Sequence, residues 1–148
     1  MTRISAVAFD LDGTTLNSED LYLEVCSQMM ARRGHEYDWE TRRKMMGLPA
    51  PRAYEVLIEC KSLHDTPAAL QEESDAIFEE ILEHKLQSMP GIIDLLDHLD
   101  QHSIPRCIAT SSREIFADRA LRIVGLRDRF DFILTAEHVP HGKPHPDI

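Results

Sequence analysis

The sequence lacks a long apolar run, and no segment approaches the roughly 18 apolar residues that a membrane-spanning helix needs. Its first residues do not combine a basic segment with a following apolar stretch, so no secretory signal is predicted and the cytoplasm is the expected location. Cysteines are also few. Cys26, Cys60 and Cys107 lie far apart without paired spacing, which predicts free thiols and favours neither a disulfide nor a catalytic role.

Basic residues are scarce relative to acidic ones. The 148 residues include 16 Lys and Arg against 26 Asp and Glu, a formal net charge of −10, which argues against nucleic acid as a partner. An anionic substrate would need a local positive site because the overall field repels it. With 43% hydrophobic and 28% charged residues, the composition is otherwise that of a soluble globular protein without a membrane partner.

Strand patterns alternate with helix patterns, except for one long helical block. The near-continuous small and apolar residues of Ile4–Asp10 predict a strand buried on both faces. Helical spacing begins after Asn17, which can cap the helix, and stops at Gly34. The further predicted elements are helices over Asp38–Gly47, Pro51–Leu63, Thr66–Leu86, Ile92–Leu99 and Ser112–Val124, and strands over Arg106–Thr110 and Phe132–Thr135.

This order predicts an α/β fold, a Rossmann-like parallel sheet with crossover helices. A helical block between two strands of one sheet is most simply an inserted domain. We therefore expect an α/β core from residues 1–16 and 88–148 and a helical insertion over residues 17–87.

Distinctive polar residues follow three of the predicted strands. Asp10 and Asp12 end the first, the hydroxyl cluster Thr110–Ser112 ends the second, and a loop after the third leads to Lys143. Ligands of open parallel sheets bind beyond the carboxyl ends of the strands, where these groups would converge. The amides at the start of the helix after Ser111 would add an anion site. Lys143, with a divalent cation, would offset the two aspartates.

Three segments carry a resemblance to a known family. The stretches "DLDGTTLNSED", "IATSS" and "HGKPHPDI" resemble, in that order, the first three signature motifs of the haloacid dehalogenase superfamily. The match looks closest to its β-phosphoglucomutase-like and small sugar-phosphate phosphatase branch. The resemblance spans the chain and implies that the helical insertion is a cap domain that closes over the substrate.

The resemblance also implies roles for the strand-end residues. Asp10 resembles the nucleophile that becomes an aspartyl phosphate, and Asp12 the general acid that protonates the leaving alcohol and then activates water. Thr110 resembles the hydroxyl that holds the transferring phosphoryl group, and Lys143 the cation that steadies nucleophile and phosphate. The implied cofactor is Mg2+, bound by Asp10, by the backbone carbonyl of Asp12 and by an acidic residue further along in the family.

Other residues receive predictions beside these motifs. Leu11, Gly13 and Ser111 are expected to bind phosphate, and Arg52, just beyond the Gly47 loop of the insertion, is the best candidate there for substrate contact. Ser112 is expected to cap the following helix.

Three histidines lie close together near the end of the sequence. His138, His141 and His145 could suggest a metal site, but three prolines in "HVPHGKPHP" exclude helical ligand spacing. We predict a solvated loop there.

These features predict a Mg2+-dependent phosphohydrolase that acts on a small phosphorylated metabolite through an aspartyl-phosphate intermediate. Three alternatives stay open: a β-phosphoglucomutase-like sugar-phosphate mutase, a receiver-like phospho-acceptor module, and a fragment that only binds. The sequence stops just past the lysine motif, so we expect a piece of a longer protein, with its first strand at an open edge. The full-length protein is expected to be a monomer.

Overall fold

The computed structural model describes residues 4–148. In this range, helices and strands follow the predicted alternation. The elements are β1 (Val7–Phe9), α1 (Ser18–Arg32), α2 (Trp39–Met45), α3 (Ala50–Lys61), α4 (Pro67–Lys85), α5 (Ile92–Gln101), β2 (Arg106–Thr110), α6 (Glu114–Ile123) and β3 (Ile133–Thr135), with short 3-10 helices at Arg127–Arg129 and Ala136–His138. Across the described range, no helix has both the length and the apolar character that crossing a membrane requires.

The chain divides into two compact units. The core unit comprises Met1–Glu19 and Lys85–Ile148, of which residues 1–3 lie outside the described part, and the insert unit comprises Asp20–His84. That the insert unit is a domain that caps a substrate stays a prediction.

A parallel sheet forms the centre of the core unit. Its strand order is β1-β2-β3, and both pairings are parallel, with Ala8 opposite Cys107 and Ile108 opposite Ile133. Helix α6 links β2 to β3, as crossover connections between parallel strands require. The predicted α/β fold class is confirmed.

Strand β1 differs from the prediction in length and burial. It starts at Val7, whose amide donates to Pro105 O at 3.0 Å, and the proline has no N–H with which to extend the ladder towards Ala6. Ile4 is 65% exposed and Ala8 is also exposed, whereas Phe9 is buried. The predicted burial on both faces was therefore wrong, because Phe9 and Ala8 point to opposite faces and the face of Ala8 is exposed within residues 4–148.

The core unit packs helices on the sheet through apolar side chains. Phe9 of β1 meets Phe130 edge-on, with ring centroids 5.6 Å apart, and Ile108 of β2 is fully buried. Helix α5 contributes one apolar stripe and α6 another, which is the pattern of helices that cover a sheet. The buried residues of these two stripes are Ile92, Leu96, Leu99, Ala117, Ala120 and Leu121.

The insert unit is a helical bundle with its own core. Leu21, Val25 and Met29 recur along one face of α1 and are buried, and Tyr22 stacks on Phe78 of α4 with a centroid separation of 4.6 Å. Helix α2 begins where the Asp38 carboxylate accepts from Thr41 N at 2.8 Å, a standard N-cap contact.

The two segments that connect core and insert are hydrogen-bonded to each other within the core unit. Asn17 Oδ1 accepts from Gln87 N at 2.8 Å, and Asn17 Nδ2 donates to Lys85 O at 3.3 Å. Met89 N donates to Thr15 O at 2.9 Å. The predicted capping role of Asn17 was wrong, since its amide binds the returning segment, which no spacing within α1 could indicate.

Candidate active site

An ion pair joins Asp10, which follows β1, to Lys143 in the loop after β3. Lys143 Nζ donates to Asp10 Oδ1 at 2.5 Å and to the Ala109 carbonyl of β2 at 2.8 Å. The side chains are 37% and 41% exposed, for Lys143 and Asp10 respectively, so a ligand can reach them from solvent. The lysine lies where the sequence predicts a positive partner for the aspartates.

The loop after β1 directs both aspartates to one side. Leu11 is fully buried between them, and because side chains alternate along extended backbone, Asp10 and Asp12 point away from the core. Thr15 Oγ1 donates to Asp10 O at 2.5 Å and Gly13 N donates to Leu16 O at 2.9 Å, which closes the turn.

Gly13 is required by this turn. Its φ is +67°, and a Cβ at this position would lie 3.0 Å from Glu19 Cγ, so both the backbone conformation and the space favour glycine. Any phosphate contact by Gly13 or Leu11 would have to come from backbone N–H groups, because Gly13 has no side chain and that of Leu11 is buried. The Gly13 N–H donates to Leu16 O in this structure and would have to exchange that partner for phosphate. The phosphate-binding role of Gly13 and Leu11 stays a prediction.

Hydroxyl groups surround the Asp12 carboxylate. Ser18 Oγ donates to Oδ1 at 2.7 Å, and Ser112 Oγ donates to Oδ2 at 2.5 Å. Thr110 Oγ1 donates more weakly to Oδ2 at 3.4 Å. Since Ser18 and Thr110 are buried, these contacts fix the orientation of the carboxylate from the protein side.

The three hydroxyl residues after β2, Thr110–Ser112, have different environments. Thr110 Oγ1 also accepts from Ser112 N at 3.0 Å, whereas Ser111 is exposed. Ser112 does not cap α6, contrary to the prediction, because its hydroxyl is used by Asp12 and the helix begins two residues later at Glu114. The sequence analysis did not identify Ser18 and Ser112 as partners of Asp12. For Ser112, the run of three hydroxyl residues at Thr110–Ser112 could have indicated this role.

The first amide of α6 donates to a carboxylate of the protein itself, that of Glu137. Glu114 N donates to Glu137 Oε2 at 2.8 Å, and Arg113 Nε lies 3.7 Å from Glu137 Oε1. The predicted anion site at the start of this helix stays a prediction. The sequence did not reveal that Glu137, from the segment after β3, would accept from the Glu114 amide.

Known proteins resemble this chain in sequence and in fold. Residues 7–148 match the family described as haloacid dehalogenase-like hydrolase. The chain belongs to this family. It is 29% identical to the phosphorylated carbohydrates phosphatase of Thermotoga maritima over 98% of this chain and 67% of that protein. It is 28% identical to the fructose-1-phosphate phosphatase YqaB of Escherichia coli over 98% of this chain and 76% of that protein.

A solved structure supports the same branch of the haloacid dehalogenase-like hydrolases. A β-phosphoglucomutase-like protein of Thermotoga maritima superposes with a TM-score of 0.82 at 27% identity, over 97% of this chain and 67% of that one. The predicted family, branch and phosphatase class are thereby confirmed. The chain spans about two thirds of the length of most of the curated relatives it matches.

Arg52 of this haloacid dehalogenase-like chain lies in the insert unit. It is exposed in the first turn of α3, and its Nη1 donates to Glu55 Oε2 at 2.6 Å. That hydrogen bond raises the pKa of the guanidinium further above its usual range, so Arg52 is a permanent cation. Its contact with a substrate stays a prediction.

Proposed function

We propose that the chain carries the catalytic residues of a Mg2+-dependent phosphohydrolase for a small phosphorylated metabolite. The observation that supports this best is the Asp10–Lys143 ion pair. It lies at the carboxyl ends of the strands, beside Asp12, whose carboxylate accepts a hydrogen bond from the Ser112 hydroxyl. The relatives named above are phosphatases of phosphorylated carbohydrates and fructose 1-phosphate, which favours a phosphorylated sugar or similar small molecule.

Asp10 is the proposed nucleophile. Lys143 occupies Oδ1, while Oδ2 has only a 3.4 Å contact from Thr14 Oγ1, so Oδ2 is the oxygen we assign to attack on phosphorus. An O–P bond to Asp10 forms as the P–O bond to the alcohol breaks, and the bonding pair leaves with the alcohol oxygen. A carboxylate nucleophile divides a difficult hydrolysis into two easier steps.

Asp12 is the proposed proton carrier. In its protonated form it gives the proton to the departing alcohol oxygen, and as a carboxylate it then takes a proton from the water that attacks the aspartyl phosphate. The water releases phosphate and regenerates Asp10. Ser18 and Ser112 keep the Asp12 carboxyl group oriented during both steps.

Positive charge and hydrogen-bond donors stabilise the phosphoryl oxygens. Lys143 supplies the cation, and the exposed hydroxyl of Ser111 is one proposed donor to the phosphoryl group. Thr110 is the other, and its hydroxyl would turn to the phosphoryl group from the weak 3.4 Å contact with Asp12 Oδ2. The carboxylate of Asp10 and the backbone carbonyl of Asp12 are oxygen donors of the hard type that Mg2+ prefers. The bound ion would neutralise charge that develops on the phosphoryl oxygens.

The nucleophile assignment is tested by Asp10→Asn, with Asp94→Asn on the exposed face of α5 as the matched control. We expect Asp10→Asn to reduce turnover of phosphorylated sugars by at least about 10^3-fold, because the step it removes is the covalent one. Acid-quenched enzyme should contain an acyl phosphate in the Asp94→Asn variant only. Wild-type turnover in Asp10→Asn would contradict the assignment.

A sugar-phosphate mutase is the second candidate, because the superposed structure is β-phosphoglucomutase-like. A mutase uses the same aspartates but returns the phosphoryl group to a sugar hydroxyl. Incubation with a hexose 1-phosphate and its bisphosphate distinguishes the two: inorganic phosphate supports the phosphohydrolase, and hexose 6-phosphate without phosphate supports the mutase. Sedimentation of the same sample tests the predicted monomer.

A further inference from the structure

A second cluster of chemically versatile side chains lies on the loop that carries Lys143. His141 Nδ1 lies 3.0 Å from Asp147 Oδ2, and His145 Nδ1 lies 3.1 Å from Asp147 Oδ1. The two imidazole rings have centroids 4.6 Å apart. All three side chains are exposed, and one potential ligand atom from each lies within 4.8 Å of the others.

The fold brings these residues together through a turn. His145 N donates to Gly142 O at 3.0 Å, which folds the segment so that residues four apart face one carboxylate. The predicted solvated loop agrees with the exposed turn seen here. The prolines exclude helical ligand spacing, but a turn also brings residues four apart to one side. His138 is not part of the cluster, because its Nδ1 accepts from Thr135 N at 3.1 Å.

The spacing suits a small transition-metal ion. Zn2+ bound to nitrogen and oxygen at about 2.0–2.2 Å in tetrahedral geometry places its ligand atoms about 3.4 Å apart. The nitrogen–oxygen distances of 3.0 and 3.1 Å run to the two different oxygens of Asp147. With one of these oxygens as the ligand, the three ligand atoms lie within 4.8 Å of one another, so binding would draw them together by at most about 1.4 Å. Because the three side chains are exposed, they can make this adjustment without displacing packed neighbours.

We propose that His141, His145 and Asp147 form a binding site for a divalent transition-metal ion such as Zn2+. Two imidazole nitrogens and one carboxylate favour Zn2+, Co2+, Ni2+ or Cu2+ over Mg2+. Each imidazole would bind through Nδ1 and carry its proton on Nε2. Water would complete the coordination, since the cluster offers three ligands.

The site would act on the turn around Lys143. His141 precedes this lysine by two residues and His145 follows it by two, so a bound ion cross-links the turn on both sides of Lys143. We expect the amides of residues 141–147 to exchange hydrogen more slowly when the ion is bound, because local opening would have to break metal–ligand bonds.

The experiment is a titration of the protein with zinc chloride, followed through the ring signals of its 8 histidines by NMR. The expected result is a shift of the His141 and His145 signals within the first equivalent of Zn2+, without reversal by excess Mg2+. Asp147→Asn should weaken Zn2+ binding by about tenfold, and His141→Ala with His145→Ala should abolish these shifts and the slower hydrogen exchange.

A matched control lies on α5 and the residue that follows it. The rings of His98 and His102 are also four residues apart, with centroids 4.3 Å apart, but His102 Nδ1 contacts the His98 carbonyl rather than a carboxylate. His98→Ala with His102→Ala should therefore leave Zn2+ affinity unchanged. An equal loss in this variant, or a first equivalent that shifts other histidines, would overturn the proposal without affecting the proposed phosphohydrolase.

Discussion

The neighbours of Asp12 suit the proton transfer that we propose for this residue. Its two carboxylate oxygens accept hydrogen bonds from the hydroxyl groups of Ser18 and Ser112, at 2.7 and 2.5 Å. Hydroxyl groups both donate and accept, so they can follow the carboxyl group when it gains or loses a proton. The arrangement holds geometry constant while the charge of Asp12 changes.

The proton role predicts a dependence on the leaving group. Asp12→Asn should lower kcat/KM for an alkyl phosphate by about 10^2 to 10^4-fold, because an alkoxide leaves poorly without a proton. The burst of p-nitrophenol from p-nitrophenyl phosphate, measured before steady state, should fall far less, because this phenolate needs little protonation. Equal losses for both substrates would remove Asp12 from the acid role.

The hydroxyl contact predicts a positioning effect. Ser112→Ala removes the 2.5 Å donor to Asp12 Oδ2 and should lower kcat for an alkyl phosphate by about tenfold, which corresponds to about 1.4 kcal/mol. KM should change little, and p-nitrophenol release should be spared. Ser5→Ala, at an exposed position of the core unit, serves as the control. A change in KM alone would assign Ser112 to substrate binding.

The sequence revealed some of these residues and concealed others. Asp10 and Lys143 could be predicted to meet because both follow strands of one parallel sheet. Ser18 could not be placed on Asp12, because it opens a helix and the hydrogen bond depends on how the turn at Gly13 closes. Spacing along the chain says which strand end a residue follows, but not which oxygen atom its side chain contacts.

At the scale of elements, an arginine pair links the end of α1 to α4: Arg32 Nη1 donates to Glu73 Oε1 at 2.9 Å, and the next residue, Arg33, makes two further ion pairs. Arg33 Nη2 donates to Asp65 Oδ1 and to Glu73 Oε2, each at 2.6 Å. These last three side chains are mostly buried, with exposures of 20% to 25%. The hydrogen bonds from Arg33 lower the pKa of the Asp65 and Glu73 carboxyl groups below their usual range.

This network predicts an acid-dependent loss of stability. Carboxyl groups with a lowered folded-state pKa stabilise the fold above their unfolded pKa, near 4, and the contribution is lost as pH falls through the folded-state values. Arg33→Met should reduce the free energy of unfolding by about 1–2 kcal/mol at pH 7, with a smaller difference at pH 2. Urea unfolding followed by circular dichroism at both pH values measures this.

Arg52→Met provides the control for the network, since the Arg52–Glu55 pair lies on the exposed surface of the same unit. It should change the free energy of unfolding by less than about 0.5 kcal/mol at either pH. If Arg33→Met behaved like Arg52→Met, the buried network would not contribute to acid sensitivity.

The observed ends of helices and strands agree with the predicted ones where nearby residues in the sequence determine them. Strand β2 has the predicted bounds, Arg106–Thr110, and α2 begins after the predicted Asp38. Strand β1 is shorter because its limit is set by Pro105 on a neighbouring segment. Its apolar composition predicted burial, but burial depends on what covers each face, and that information lies outside the strand.

At the scale of the whole molecule, net charge opposes the proposed substrate. The chain carries a formal charge of −10, and the positive charge of Lys143 is balanced by Asp10 at 2.5 Å. A phosphate dianion therefore approaches against a repulsive field until it reaches the site.

This balance predicts the sign of the salt effect. Raising NaCl from 10 to 100 mM shortens the Debye length from about 30 to about 10 Å, so screening should raise kcat/KM for a phosphate monoester by about twofold. The rate at saturating substrate should change little, which serves as an internal control. A steady fall in kcat/KM over this range would mean that attraction by local cations dominates the approach.

The hydrogen bonds of Asn17 to the segment at Lys85 and Gln87 also bear on evolution. They hold the two segments that flank the insert side by side within the core unit. The chain therefore leaves the core unit and returns to it at neighbouring positions. Because the entropy of loop closure rises by only about 0.6 kcal/mol for each doubling of length, inserts of different size are tolerated at one junction. Recombination of one contiguous coding segment could therefore exchange the whole insert while Asp10, Asp12 and Lys143 keep their places.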